Sequence, residues 1–308
     1  MEPPSDLAAR LLAWRQLLRL GNVFTAVSNI AAGFLLVHRD WAPAGELVWL
    51  GLAAALLYAA GMALNDAFDA DVDAQERPER PIPSGRITRQ AAFAGGWLLM
   101  AGGVIAAVGA ATSSARIAPV VVGGCLALMI VMYDGGLKHT SAGPWAMGWC
   151  RLLCVLLGAS GAANLAAELA AWKYAAAVGA YTVGLSYLAR DEAATDAAAA
   201  ARRPFVLAAA CWLAAVVAML SIVNDYALAV PRWAWGTLLS VTFAAVAAGW
   251  DYAHNGRRER ITVIVSLLRG FIVLDALAAA AAAGWGAAVV VLTLLVPCVV
   301  AARRAPMT

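Results

Sequence analysis

Charge is what this sequence has least of. Asp, Glu, Lys and Arg make up 13% of its 308 residues and histidine occurs three times, which excludes the well-solvated surface of a large soluble domain. The net charge is only +3 and the arginines are scattered over short connections. With no continuous basic face, no nucleic-acid partner is expected. The five cysteines, Cys125, Cys150, Cys154, Cys211 and Cys298, lie in or beside apolar segments. No His or Cys set at zinc spacing accompanies them, so they read as small packing residues. Arg10, Arg15 and Arg19 precede the first apolar stretch, but no small-residue cleavage site ends a short apolar region. Residues 1–19 therefore read as a helical cytoplasmic segment and not as a cleaved signal.

What fills the chain is apolar: 63% of residues are hydrophobic, and the mean hydropathy is +0.76. Alanine dominates, with abundant glycine and tryptophan. Such usage belongs to integral membrane proteins, where small residues let helices approach and Trp anchors the interfaces. Apolar segments at 20–37, 47–64, 90–110, 116–133, 147–165, 171–189, 205–224, 233–250, 262–283 and 284–301 are each close to the roughly 20 residues a spanning helix needs. Only Gly284–Trp285–Gly286 separates the last two, so the sequence predicts nine or ten transmembrane helices. With the N-terminus inside and ten crossings, Arg39, Arg116, Lys173 and Arg232 alone fall in outside connections, provided Arg269 counts with its preceding loop. That bias predicts both termini on the cytoplasmic side. The expected fold is all-α and polytopic, a single membrane domain over residues 20–302 with a tail at 303–308. Polar clusters ending the second segment (NDAFDADVD) and the sixth (RDEAATD) hint at a weak internal repeat.

The scarce charge is concentrated in NDAFDADVDAQERPERPIPSG, Asn65 to Gly85. On a helix, Asp66, Asp69 and Asp73 at i, i+3 and i+7 share one face, with Asn65 one turn before Asp69. Three like charges on a stripe repel, and a hard cation removes that penalty. Mg²⁺ suits carboxylates and keeps positions for water and phosphate oxygens. Asp71 points elsewhere, toward solvent or an arginine. Arg77 and Arg80, stiffened by Pro78 and Pro81, offer planar charge-assisted donors to phosphate. From spacing alone two readings stand: a Mg²⁺–diphosphate site, or a solvated loop with its own ion pairs.

NDAFDADVD has the NDxxDxxxD form of the UbiA superfamily of intramembrane prenyltransferases, and ERPERPIPSGRIT resembles the segment that follows it in many members. Arg19 and Asn22 at the first segment, the Tyr133, Leu137, Lys138 group and Gly148–Arg151 extend the similarity. ERPERPIPSG together with MYDGGLKHTSAGPWAMGWCRLLCVLLGAS is most similar to the EboC-like branch, which is associated with small bacterial biosynthetic gene clusters. The resemblance implies a UbiA-type helical bundle in a bacterial cytoplasmic membrane. It also implies Mg²⁺-dependent transfer of an isoprenyl group from an allylic diphosphate to an aromatic or other small lipophilic acceptor. Products of a neighbouring gene cluster would be further partners. On that reading Asp66, Asp69, Asp73 and Lys138 carry the chemistry, while Asn22, Asn65, Arg77, Arg80, Tyr133 and Arg151 bind substrate.

Members of the family typically carry a second acidic motif. YLARDEAATD offers it in reduced form: Glu192 and Asp196, one helical turn apart, either hold a second Mg²⁺ or pair with Arg190, Arg202 or Arg203. Lys138 and Arg151 either grip the diphosphate or snorkel to the headgroups. Asp275, deep in an apolar segment, is costly unless paired; it is either a relay for transport or a link between helices. The alternative to a transferase is a noncatalytic protein of the same fold that binds or exports a small metabolite or its precursor. A pure scaffold leaves the first cluster unexplained.

Overall fold

The computed structural model describes residues 6–191, 202–225 and 257–304, and among them every regular element is helical. In chain order the helices are α1 (Asp6–Leu17), α2 (Leu20–His38), α3 (Ala44–Phe68), α4 (Ala70–Glu76), α5 (Arg89–Ser114), α6 (Ala118–Asp134), α7 (Gly143–Gly158), α8 (Leu169–Asp191), α9 (Arg202–Asp225), α10 (Arg257–Ala283), α11 (Trp285–Thr293) and α12 (Leu295–Arg304). The helices α2, α3, α5 and the Ile264–Ala283 part of α10 are long and apolar enough to cross a membrane. Ala118–Asp134, Val206–Ile222 and Trp285–Ala301 are apolar but shorter. The predicted span at 233–250 and the acids Glu192 and Asp196 lie outside the described residues.

Two predicted spans are redrawn. The segment expected at 147–165 is α7, which starts at Gly143 with Pro144 in its first turn and ends at Gly158. Proline is tolerated there because the first-turn N–H groups have no intrahelical partner. At 16 residues the helix is about 24 Å long, short of the ~30 Å hydrocarbon core. The segment expected at 284–301 is broken into α11 and α12 around Leu294. Pro297 has no N–H for the Thr293 carbonyl and its ring crowds it, so the ladder gives way one turn upstream. Gly284, at φ +85°, separates α10 from α11 in a conformation glycine tolerates.

Small residues set how closely the helices approach, as expected where lipid gives no hydrophobic drive to associate. On α5, a Cβ at Gly96 would lie 2.8 Å from the Leu64 side chain and one at Gly103 2.6 Å from Leu57, so α3 seats its leucines in glycine notches. The α2–α7 contact is tighter, because a Cβ at Gly33 would overlap the Val155 carbonyl and one at Gly158 the Ile30 carbonyl. Behind these contacts lies a core that includes Ile30, Phe34, Leu57, Leu64, Leu157, Tyr174 and Phe271. Val48, Leu52, Leu98, Ile105, Val121 and Leu128 face outward, an apolar exterior suited to lipid and not to water.

Candidate active site

The acidic motif does not ride on one continuous helix. Helix α3 ends at Phe68 and α4 begins at Ala70, with Asp69 (φ −85°, ψ 2°) as the joint between them. The expected single stripe of three carboxylates is therefore split. Asp66 and Asp73 meet at Arg80, whose Nη1 donates to Asp73 Oδ2 at 2.7 Å and Asp66 Oδ1 at 3.4 Å. Asp69, at the joint, pairs instead with Lys138 Nζ at 2.7 Å, with His139 Nε2 at 3.7 Å.

The loop after α4 is folded so that Arg80 can reach back. Ser84 N–H and Oγ donate to the Arg80 carbonyl, Ile87 N–H donates to Pro81 O, and Gly85 takes a φ of +74°. Arg86 ties the loop to α1 through Gln16 Oε1 (2.6 Å) and to its own Glu79 carbonyl (2.6 Å). Arg80 is consequently buried as the clasp of the two carboxylates. Arg77 is half-buried, and its side chain makes no hydrogen bond or ion pair among the described residues. Asp71 pairs with Arg89 at 3.0 Å on the exposed edge.

A third cation arrives from the α1–α2 turn. Arg19 adopts φ 45°, ψ 48°, a left-handed conformation costing about 1–2 kcal/mol for a non-glycine residue, and its Nη2 donates to Asp66 Oδ1 at 3.0 Å. The donor set suits Mg²⁺: all three acids offer hard carboxylate oxygens, and Asp69 retains 21% side-chain exposure. No three acids converge as a cage among the described residues. Mg²⁺ commonly takes one or two carboxylates and completes its shell with water and substrate phosphate, so Asp69 and Asp66 fit that ion.

Above this cluster lies a cavity of about 160 Å³ whose walls include Ala26, Leu57, Tyr58, Leu126, Ile130, Met147 and Cys154. Arg19, Asn65, Tyr133, Asp134 and Arg151 supply its polar part. Asn65 Nδ2 donates to Asp134 Oδ1 at 2.9 Å. Asn22 is buried on α2 and hydrogen-bonded to the Tyr58 side chain. Arg151 does not snorkel; it points inward, donating to Asn29 Oδ1 at 3.0 Å and Thr25 Oγ1 at 2.9 Å, with its guanidinium 4.7 Å from the Phe271 ring centre.

The same network absorbs Asp275. It accepts from Ser28 Oγ (2.5 Å), from Asn29 Nδ2 (2.9 Å to each oxygen) and from the Tyr174 hydroxyl. Asp275 thus links α2, α8 and α10. Thr25, Ser28, Asn29 and Tyr174 were missed as members of this network. A signal existed for three of them: Asn22, Thr25 and Asn29 recur at i, i+3 and i+7 on an apolar helix, with Ser28 beside them, which marks a buried polar stripe.

The sequence matches the UbiA prenyltransferase family over residues 26–262. Among curated relatives, digeranylgeranylglyceryl phosphate synthase of Methanoregula boonei is 37% identical over 117 residues, 37% of this chain and 40% of that protein. The protein of the same name from Ignicoccus hospitalis is 28% identical over 166 residues, 54% of this chain and 52% of that protein. The matched region thus spans about half the length of these relatives, or less. Among solved structures, the apo structure of a UbiA homologue from Aeropyrum pernix K1 superposes with a TM-score of 0.63 at 17% identity, covering 82% of this chain and 97% of that one. With the family matched over most of its length and the same helical bundle shared, this chain belongs to the UbiA prenyltransferase family.

Proposed function

We propose that the protein transfers an isoprenyl group from an allylic diphosphate to a lipophilic acceptor, with Mg²⁺ as cofactor. The observation that carries this is an apolar cavity whose polar wall includes Arg19, the partner of Asp66, and Asn65, whose backbone carbonyl accepts from Lys138, the partner of Asp69. Mg²⁺, when bound by Asp69 and Asp66, supplies positive charge against the departing diphosphate. Lys138 and Arg77 flank the same region, and their charges stabilise the negative charge that develops on the leaving group. Leu57, Leu126, Ile130 and Met147 keep water from the allylic cation, and the aromatic faces of Tyr58 and Tyr133 border the space it occupies. A cavity of about 150 Å³ lined by apolar residues holds benzene. The present one, of similar size, encloses the reacting end of a prenyl chain, and the tail runs on between helices or into lipid.

The relatives' names support an acceptor built on glyceryl phosphate; the resemblance noted from the sequence supports an aromatic one. That EboC-like resemblance also supports a bacterial inner membrane, with acidic cluster and termini on the cytoplasmic side and partners drawn from a neighbouring gene cluster. A reduced second Mg²⁺ site at Glu192 and Asp196 belongs to the same proposal. The export reading loses one support, since Asp275 is fully engaged between helices.

The test is diphosphate release by the purified protein in lipid nanodiscs, given Mg²⁺, geranyl, farnesyl or geranylgeranyl diphosphate, and either a glyceryl phosphate lipid or a phenolic acceptor. Acceptor-dependent release is expected, falling by about 10²–10³ in Asp69→Asn, the scale for losing one preorganised electrostatic partner. Binding without turnover over the whole panel would favour the noncatalytic alternative.

A further inference from the structure

Helix α6 ends at Asp134, immediately after Tyr133 in the cavity lining. The residue is 3% exposed. Its Oδ1 accepts from Asn65 Nδ2, and its Oδ2 is a buried polar atom with no hydrogen-bond partner. A buried acceptor left unmade costs about 1–3 kcal/mol, more when charged, so a fold that keeps one beside a substrate-sized cavity has left a place for a donor.

The neighbouring polar groups do not fill that place. Arg19 is held by Asp66, Arg151 by Asn29 and Thr25, Lys138 by Asp69, and the Asn65 amide is already spent on Oδ1. The remaining lining near Asp134 includes Ile130, Leu126, Met147, Cys150 and Tyr133, and none of them, the Tyr133 hydroxyl included, bonds Oδ2. The missing partner is therefore sought in the ligand, and a carboxylate oxygen open to accept suits a ligand that presents O–H.

We propose that Asp134 is the residue that receives the acceptor substrate, its free oxygen taking the hydroxyl of an alcohol or phenol and then that hydroxyl's proton. This rests on the prenyl-transfer reading above. In the step, a lone pair of the acceptor oxygen forms the new bond to C1 of the prenyl group. The C1–O bond to diphosphate breaks, its electron pair leaving with the diphosphate. The proton of the acceptor hydroxyl passes to Asp134 Oδ2, and the resulting acid gives it to water as product leaves. Asn65 is a positioning residue: its amide fixes Oδ1 and so turns Oδ2 to its task. It also joins the acceptor end of the cavity to the diphosphate end, because its own carbonyl lies 3.5 Å from Lys138 Nζ, the partner of Asp69.

The experiment compares wild type, Asp134→Asn and Asp134→Glu in nanodiscs, with geranylgeranyl diphosphate, Mg²⁺ and the hydroxyl-bearing glyceryl phosphate lipid or phenol that wild type turns over. Asparagine keeps the shape and an oxygen for Asn65 but turns a donor toward the acceptor hydroxyl. It is expected to lower kcat/KM for the acceptor about ten- to hundredfold, the scale of one charge-assisted hydrogen bond, with KM for the diphosphate unchanged. Asp134→Glu, which keeps the carboxylate, is expected to recover part of the loss. Thermal protection by Mg²⁺–diphosphate, measured on each variant, shows whether the fold and the diphosphate end are intact. Unchanged acceptor kinetics in Asp134→Asn overturn the assignment while leaving the transferase reading in place. A parallel loss for both substrates, or loss of the diphosphate protection in both variants, also overturns it, by making Asp134 a structural residue. Absence of acceptor-dependent release from wild type itself overturns the transferase reading, and this assignment falls with it.

Discussion

Arg80 and Asp275 each hold more than one partner, and each is a charge that apolar surroundings tolerate only because it is bonded on several sides. Arg80 clasps Asp66 and Asp73; without it two buried carboxylates would stand 14 and 7 residues from their lost cation with only Arg19 left to serve Asp66. Asp275 receives three donors from two helices. In Asp275→Asn one carboxylate oxygen becomes an NH₂ group, so the three donors lose one acceptor oxygen and the charge that strengthens their bonds. The expected cost is about 1–3 kcal/mol. It is measurable as a lower thermal midpoint when unfolding in nanodiscs is followed by a thiol dye reacting with Cys154, which is buried in the folded state. An unchanged midpoint would mean the network contributes nothing to stability.

At the scale of helices, α2 and α7 matter most to the site because their backbones touch. Gly33 and Gly158 permit that approach, and it is what lets Arg151 on α7 reach Thr25 and Asn29 on α2. Gly33→Ala puts a methyl group into the Val155 carbonyl and must part the helices, at a cost of about 1–3 kcal/mol. Gly51→Ala on α3 has nothing within 4 Å of the new methyl and is expected to be neutral or to stabilise by up to about 1 kcal/mol through helix propensity. Thermal unfolding of the pair separates the effect of packing from that of propensity. Elements of this kind were legible in the sequence only in part. Helix α3 and helix α5 follow from their long apolar runs, since hydropathy is a property of each residue in turn. The break at Asp69 was not, because i, i+3, i+7 spacing places three acids on one face only while the helix continues. The shortening at α7 likewise depends on where Gly158 meets Ile30, a contact between residues more than a hundred positions apart. The motif residues were legible as a group, yet which acid pairs with which base was decided by the folded loop at Arg80 and the turn at Arg19.

For the whole molecule, the apolar exterior and the sidedness of its charges predict an orientation. Asp71 lies beside the acidic cluster and Asp40 in the α2–α3 connection, both exposed, at opposite ends of α3. In a cysteine-free background, Asp71→Cys is expected to react with a membrane-impermeant maleimide only from the cytoplasmic side and Asp40→Cys only from the other. Labelling of both from one side would contradict a spanning α3. The composition made membrane residence plain, because no arrangement of 13% charged residues covers a water-soluble surface of this size. The substrate-sized cavity was invisible to composition, since its lining comes from α2, α3, α6 and α7 together.

The matching of three carboxylates, Asp66, Asp69 and Asp73, by three cations, Arg19, Arg80 and Lys138, has a thermodynamic corollary. A cluster whose formal charges cancel exerts little pull on a lone divalent cation, and as little on a lone polyanion, each of which would also have to displace an existing partner. A metal–diphosphate complex brings both signs at once and exchanges partners with the resident pairs. On the proposed function, occupancy by either component would therefore promote occupancy by the other, and the resting protein would resist filling by free magnesium or free phosphate alone.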